Sequence, residues 1–222
     1  LRVPAVRRTL NKVINVGSPM LEVLNFYKQK ISDSSIMKKL NIKNKNFYLV
    51  SAHREENIES IDRLKNILNI IEHLSVNHNL PIIVSTHPRL RKKLKGYSKK
   101  NIILHKPFSF TDYVNLQKNS KIVISDSGTI NEEASILGFN AINLREAHER
   151  PEANEEAVTI MTGTNLRNVI NAIKYFENNP LTNNKKEIIA SYSKENVSDT
   201  IVKIIISFIN YIKQNNYKKN IN

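Results

Sequence analysis

The amino-acid sequence predicts an α/β fold in which a parallel sheet is covered by helices on both faces. Three observations carry this. Short apolar runs of four to six residues recur along the chain. Between them lie stretches whose apolar residues have helical spacing, and the unusual polar clusters stand where the apolar runs end. Strands apolar on both sides and separated by helical segments belong to parallel sheets buried on both faces. Right-handed crossovers then give a Rossmann-like, doubly wound domain whose ligands lie at the carboxyl ends of the strands.

Taken in order, a strand is expected at Lys12 to Val16, broken by Gly17-Ser18-Pro19, with a helix over Met20 to Lys30. A second strand covers Asn46 to Ser51 and is followed by a polar loop and a helix from Ser60 to Asn77. Pro81 to Ser85 and Asn101 to Leu104 are further strands, with helices over Pro88 to Leu94 and Thr111 to Asn119. Lys121 to Ser125 leads into a helix ending at Leu137, and Asn140 to Leu144 and Val158 to Met161 complete the strands. A helix over Asn165 to Asn178 precedes a linker at Pro180 and two helical stretches reaching Lys213. The expected divisions are an irregular segment over 1–11, the sheet domain over 12–178 and C-terminal helices over 179–222.

With 222 residues the chain can bury a substantial core. It has no cysteine, which removes disulfides and thiolate chemistry. No apolar run reaches the length of a membrane span and no signal peptide is visible over Leu1 to Leu10, so a cytoplasmic protein without a membrane partner is expected. The formal net charge is +14. The lysines are scattered among abundant Asn and Ile, unlike the basic stripe with interleaved aromatics that nucleic acid selects, so no nucleic-acid partner is expected. A basic surface still favours an anionic substrate. No metal-ligand spacing, Walker loop or nucleophile elbow is present.

The most telling segment runs from Ser125 through Asp126, Ser127, Gly128 and Thr129 to Glu133. It joins a strand end to a helix start, where backbone N–H groups and the helix dipole face an anion. Ser127 and Thr129 add hydroxyls, Gly128 allows close approach, and Glu133 lies one helical turn further on, within reach of a ribose hydroxyl. The plain alternative is a βα turn with an Asp or Ser N-cap.

Four further clusters fall at strand ends. His53 and Arg54 open a loop suited to phosphate contact and proton traffic. His87 follows Ser85-Thr86, where it either lines a cleft or holds the turn, and the aromatics Phe108 and Tyr113 offer a wall to a base or belong to the core. The run from Arg145 through His148, Glu149 and Arg150 to Glu152 carries more charge than an ordinary turn.

Together these clusters resemble the non-hydrolysing UDP-N-acetylglucosamine 2-epimerases. The resemblance rests on Gly17-Ser18, on His53-Arg54-Glu55-Glu56-Asn57, on Asp126-Ser127-Gly128 with Glu132-Glu133, and on Glu149-Arg150-Pro151-Glu152, in that order. It covers roughly residues 12 to 175. Gly17 to Met20, Ser51 to His53, Ser85 to Pro88, Thr129 and Arg145 to His148 look closer to the branch that converts UDP-2-acetamido-2,6-dideoxy-L-talose into UDP-N-acetyl-L-fucosamine for capsule and O-antigen.

The resemblance implies the C-terminal half of a glycosyltransferase-B-like (GT-B-like) fold that grips UDP. It implies His53 as a catalytic residue facing the diphosphate and sugar. Arg54, Ser127, Gly128 and Thr129 would then serve the diphosphate, Glu133 the ribose and Tyr113 the uracil. His87, Arg145, Glu149 and Arg150 become candidates on the sugar side. The implied reaction removes the C2 proton and eliminates UDP, so no redox cofactor and no metal are expected; the partner is a UDP-activated 2-acetamido sugar. The family's N-terminal domain supplies the acid and base carboxylates, and these 222 residues contain no counterpart. The expectation is therefore weak UDP binding without turnover, unless a complementing N-terminal domain or homodimer completes the cleft. The apolar helix over Val202 to Ile212 would pack on that domain. The other readings are a non-catalytic UDP-sugar-binding remnant and the donor domain of a GT-B glycosyltransferase.

Overall fold

The computed structural model describes residues 14–86, 88–94, 99–146, 158–179 and 188–219. The chain divides into two compact units, Leu1–Asn25 with Ala190–Asn222 and Phe26–Ile189.

The larger unit is built on a six-stranded parallel sheet. Its strands are β1 (Tyr48–Ala52), β2 (Ile82–Thr86), β3 (Ile102–His105), β4 (Ile122–Ser125), β5 (Ala141–Asn143) and β6 (Ile160–Met161). Their spatial order is β3-β2-β1-β4-β5-β6. The chain thus winds outward from β1 through β2 and β3, then returns to the other side of β1 with β4. That reversal leaves a crevice between the carboxyl ends of β1 and β4, where doubly wound sheets bind ligands. All five residues of β1 and of β2 are buried, as strands covered on both faces require.

Alternation sends side chains to two cores. Tyr48, Val50, Ile82, Val84, Ile122 and Ile124 pack against helices α5 (Ile61–Asn77) and α9 (Leu166–Asn178). Leu49, Ile83 and Val123 face the other layer, which includes α7 (Phe110–Asn119) and α8 (Ile130–Leu137). Helix α5 buries Ile67, Ile70, Ile71 and Leu74, and α9 buries Val169, Ala172, Ile173 and Phe176, each the i, i+3, i+4, i+7 stripe of an amphipathic helix. Each of the Ile, Leu, Val and Phe side chains among them contributes about 1.5–3 kcal/mol by leaving water. Side-chain caps start these helices: Ser60 Oγ accepts Arg63 N–H in α5, Ser109 Oγ accepts Asp112 N–H in α7 and Asn165 Oδ1 accepts Asn168 N–H in α9.

In-register neighbours place Ser85, Ser51, Ser125 and Asn143 in one row across β2, β1, β4 and β5. All four are buried. The sheet therefore turns polar at its carboxyl edge while remaining closed to solvent.

The structure differs from the sequence expectations in four places. Residues 14–16 form no strand; the Asn15 side chain accepts the Gly17 N–H at 3.0 Å, so the backbone turns there. The helix expected over Met20 to Lys30 is two pieces, α1 (Met20–Phe26) and α2 (Lys28–Ser32), interrupted at Tyr27, and a short α3 (Ile36–Lys39) follows. The polar loop after β1 contains a five-residue helix, α4 (Glu55–Glu59), whereas α6 (Pro88–Lys93) follows β2 as expected. Where two C-terminal helical stretches are expected, residues 188–219 hold one helix, α10 (Val197–Lys219), entered through Asn196 at φ 64°, and residues 180–187 lie outside the described residues.

In the smaller unit Ser18 N–H donates to Ser191 O at 3.0 Å, and Ser198 N–H to the Glu22 carboxylate at 3.2 Å. Val202, Ile205, Ile206 and Ile209 of α10 are exposed. Among the described residues no helix is long and apolar enough to cross a membrane.

Candidate functional site

The loops that leave β1 and β4 meet through Asp126. Its carboxylate is fully buried and accepts His53 N–H at 3.0 and 3.1 Å, Arg54 N–H at 3.0 Å and Asn57 Nδ2 at 2.9 Å. The Arg54 side chain turns back so that its Nε donates to Asp126 O at 3.2 Å, gripping the peptide that leads into Ser127. Asp126 N–H donates to Ser51 O at 3.3 Å. Asp126 is therefore not the N-cap that a plain βα turn would make of it. It fastens two loops across the crevice and leaves the His53 side chain exposed.

Beyond Asp126 the loop bonds to itself. Ser127 N–H donates to Ser125 Oγ at 3.1 Å and Thr129 N–H to Ser127 Oγ at 3.3 Å, and the Ser127 and Thr129 hydroxyls lie 3.0 Å apart. Thr129 Oγ1 donates to Glu133 Oε1 at 2.8 Å. Gln117 Nε2, from α7, donates to Glu133 Oε2. Burial holds the Glu133 carboxyl above the usual carboxylate range; the hydrogen bonds from Gln117 and Thr129 pull it back, and the neighbouring charge of Glu132 adds to the rise.

Tyr113 lies on α7 and is half-buried. Its hydroxyl is buried and has no well-formed hydrogen bond. Burial is the main reason the phenol is pushed far above its ordinary value; the Ser51 and Ser125 hydroxyls oppose the shift, and Glu133 and Asp126 add to it. Any base contact by Tyr113 is therefore confined to the ring.

On the β5 side Leu144 N–H donates to Ser125 O at 2.9 Å, and buried Arg145 donates its N–H to Asn143 Oδ1 at 3.1 Å. Next to it Glu146 accepts from Arg63 of α5 at 2.8 Å, and Arg63 also lies 3.9 Å from Glu56. The structure thus gathers Arg54, Ser127, Thr129, Glu133 and the backbone of His53 around one crevice, with Arg145 at the next strand end. His87, Glu149 and Arg150 lie outside the described residues.

Sequence reasoning missed Asp126, Asn57 and Gln117 as builders of the site. Asp126 and Asn57 were visible as members of their motifs, whereas Gln117 sits mid-helix and carries no local signal.

The family model of the UDP-N-acetylglucosamine 2-epimerases matches residues 3–206. The chain belongs to that family. A UDP-N-acetylglucosamine 2-epimerase of Methanocaldococcus jannaschii is 35% identical over 152 residues, which is 63% of this chain and 42% of that protein. Among solved structures, the UDP-N-acetylglucosamine 2-epimerase from Rickettsia bellii matches at 38% identity and a TM-score of 0.78, covering 90% of this chain and 54% of that one. The M. jannaschii enzyme in complex with UDP-GlcNAc and UDP matches at 29% identity and a TM-score of 0.76, covering 89% of this chain and 55% of that one. The chain thus spans about half the length of the family members it matches. The doubly wound α/β class and its GT-B-like kinship expected from the sequence agree with this likeness.

Proposed function

We propose that the crevice between β1 and β4 binds the UDP moiety of a UDP-activated 2-acetamido sugar and forms half of a 2-epimerase cleft. The observation that carries this reading is the Asp126 clamp. It brings the His53-Arg54 loop against the Ser127–Thr129 loop at the one place where the sheet reverses direction. The M. jannaschii structure, a complex with UDP-GlcNAc and UDP, supports the choice of ligand.

Arg54, Ser127, Gly128 and Thr129 serve the diphosphate, Glu133 the ribose hydroxyls, and the Tyr113 ring the uracil. His53 faces the diphosphate and sugar, with His87, Arg145, Glu149 and Arg150 on the sugar side. In the reaction a base removes the C2 proton as the C1–O bond breaks, and its electron pair leaves with UDP. The 2-acetamidoglycal then takes UDP back at C1 and a proton at C2 on the opposite face. Positive charge and N–H donors ease UDP departure by meeting the charge that develops on it. We place the chain in the branch acting on 6-deoxy-L-talose and L-fucosamine derivatives in surface-polysaccharide synthesis, on the motif details around Ser51, Ser85 and Thr129.

Calorimetric titration with UDP tests the site. Ser127→Ala and Glu133→Ala each lower affinity by about tenfold, the loss of roughly one charge-assisted hydrogen bond. Lys92→Ala, an exposed residue of α6, leaves it unchanged. Equal losses in all three variants mean nonspecific charge attraction and refute the site. Proton NMR in D₂O with UDP-N-acetylglucosamine and the 6-deoxy-L-talose analogue then tests turnover. Deuterium at C2 marks a working epimerase and its sugar; line broadening without exchange marks a UDP-binding half.

A further inference from the structure

Thr129 is the N-cap residue of α8, yet its side chain makes no capping bond. Its Oγ1 donates instead to Glu133 Oε1 at 2.8 Å. A hydroxyl has one proton to give, so with Glu133 ionised the 3.0 Å contact between hydroxyls runs from Ser127 to Thr129. On its far side Glu133 is held by Gln117 Nε2. Glu133, a buried residue, is thus tied through both carboxylate oxygens, one to its own helix turn and one to α7.

We propose that Thr129 is a positioning residue for nucleotide recognition: its hydroxyl keeps the Glu133 carboxylate charged and turned toward the vicinal diol of the ribose. The inference rests on the reading of this crevice as the UDP site. A carboxylate offers about four acceptor positions. Thr129 and Gln117 occupy one on each oxygen, which leaves one on each for the two ribose hydroxyls. Without the Thr129 bond the carboxylate is free to turn about its last torsion, and nothing else on its own helix holds Oε1.

The charge needs the same support. Burial raises the Glu133 carboxyl, and Glu132 from the same helix raises it further. Tyr113 on α7 brings a buried neutral hydroxyl, and Asp126 at the end of β4 places a second carboxylate nearby. Gln117 and Thr129 are the groups that favour ionisation.

The test uses the 222-residue chain as wild type, Thr129→Val and Thr129→Ser, titrated with UDP and with its 2′,3′-dideoxy analogue across pH. The Glu133 carboxyl is followed by ¹³C NMR in parallel. Thr129→Val should lose about tenfold on UDP, the worth of one hydrogen bond to a charged group. It should lose distinctly less on the dideoxy analogue, which keeps the diphosphate and lacks only the diol that Glu133 serves. Its Glu133 titration, and the acid limb of UDP binding with it, should move to higher pH, and Thr129→Ser should restore all three. Thr129→Ala repeats the comparison if the valine variant melts early. Equal losses on both nucleotides, or an unmoved Glu133 titration, would overturn the inference while leaving the UDP site standing. A wild-type chain that binds neither nucleotide overturns the UDP reading and the inference together.

Discussion

The Asp126 carboxylate at the end of β4 accepts the backbone N–H of Arg54 beyond the end of β1 at 3.0 Å, and the Arg54 side chain returns a bond to the Asp126 carbonyl at 3.2 Å. This reciprocal pair, with His53 N–H and Asn57 Nδ2 on the same carboxylate, makes one rigid ledge from two loops. Asp126→Asn keeps the size but turns a donor toward buried donors. It should cost about 2–4 kcal/mol, the sum of stranding buried N–H groups and losing charge-assisted bonds. Urea unfolding measures the loss. Amide exchange should accelerate at His53 and Arg54 more than in β1; uniform acceleration would mean that Asp126 serves global stability alone.

Glu133 links stability to pH in the direction opposite to an exposed ion pair. Its carboxyl is raised in the folded chain, so between about 4.5, the ordinary value, and the folded value the native state holds a proton that the unfolded state has lost. Stability from this group is complete below that window and is lost as pH rises through it. Glu133→Gln should therefore be more stable than wild type at pH 7 and equal to it below pH 4.5. The new amide finds a ready acceptor in the buried Gln117 Oε1, which has no hydrogen bond. Thermal melts at both pH values, with UDP binding weakened in the same variant, check the prediction; a variant less stable at pH 7 would contradict it.

Much of this architecture could be read from the sequence because buried parallel strands announce themselves as apolar runs; β4, β5 and β6 fall within the expected stretches, and β1, β2 and β3 run one residue past them at Ala52, Thr86 and His105. Of the Lys12 to Val16 run, residues 12 and 13 lie outside the described residues, and residues 14–16 form no strand because the Asn15 side chain closes a turn on Gly17. Helix α4 was hidden by its charge: of Glu55 to Glu59 only Asn57 and Ile58 are buried. The candidate loops were legible from Ser127, Gly128 and Glu133. The part played by Asp126 was not, because an aspartate before a helix looks like a cap, whereas its actual partners stand 69–73 residues earlier in the chain.

Two glycines at positive φ separate backbone cost from steric cost. Gly138 ends α8 in the left-handed region at φ 69°, ψ 45°, and a Cβ there meets nothing within 4 Å. Gly138→Ala should cost about 1 kcal/mol, the strain of that conformation alone. Gly17, at φ 88°, would put a Cβ 2.8 Å from Lys194 Cδ and 3.1 Å from Ser191 O. The lysine stem can swing aside and the carbonyl cannot, so Gly17→Ala should cost on the order of 2 kcal/mol or more. Paired denaturation curves test the ranking, and equal costs would show that the Ser191 contact relaxes freely.

At the opposite end of the strands Glu177 collects three partners. Lys121 Nζ lies at 2.6 Å, the Tyr48 hydroxyl donates at 3.3 Å and His78 Nδ1 lies at 3.6 Å. Burial works to raise its carboxyl, but Lys121, through its bond and its charge, together with His78 and Tyr48, brings it below the usual range. The folded state therefore favours the charged form; the stabilisation is present above the ordinary carboxylate value and is lost as pH falls through the folded one. Lys121 and Glu177 are each about one-third exposed, so solvent screens the pair and Glu177→Gln should cost only about 0.5–1 kcal/mol at neutral pH. The deficit should shrink in high salt and vanish in acid. UDP affinity should not change, because Tyr48 and Lys121 stand at the amino-terminal ends of β1 and β4 while the proposed site stands at the carboxyl ends. A salt-independent deficit would assign the role of Glu177 to its neutral hydrogen bond with Tyr48 instead of to its charge.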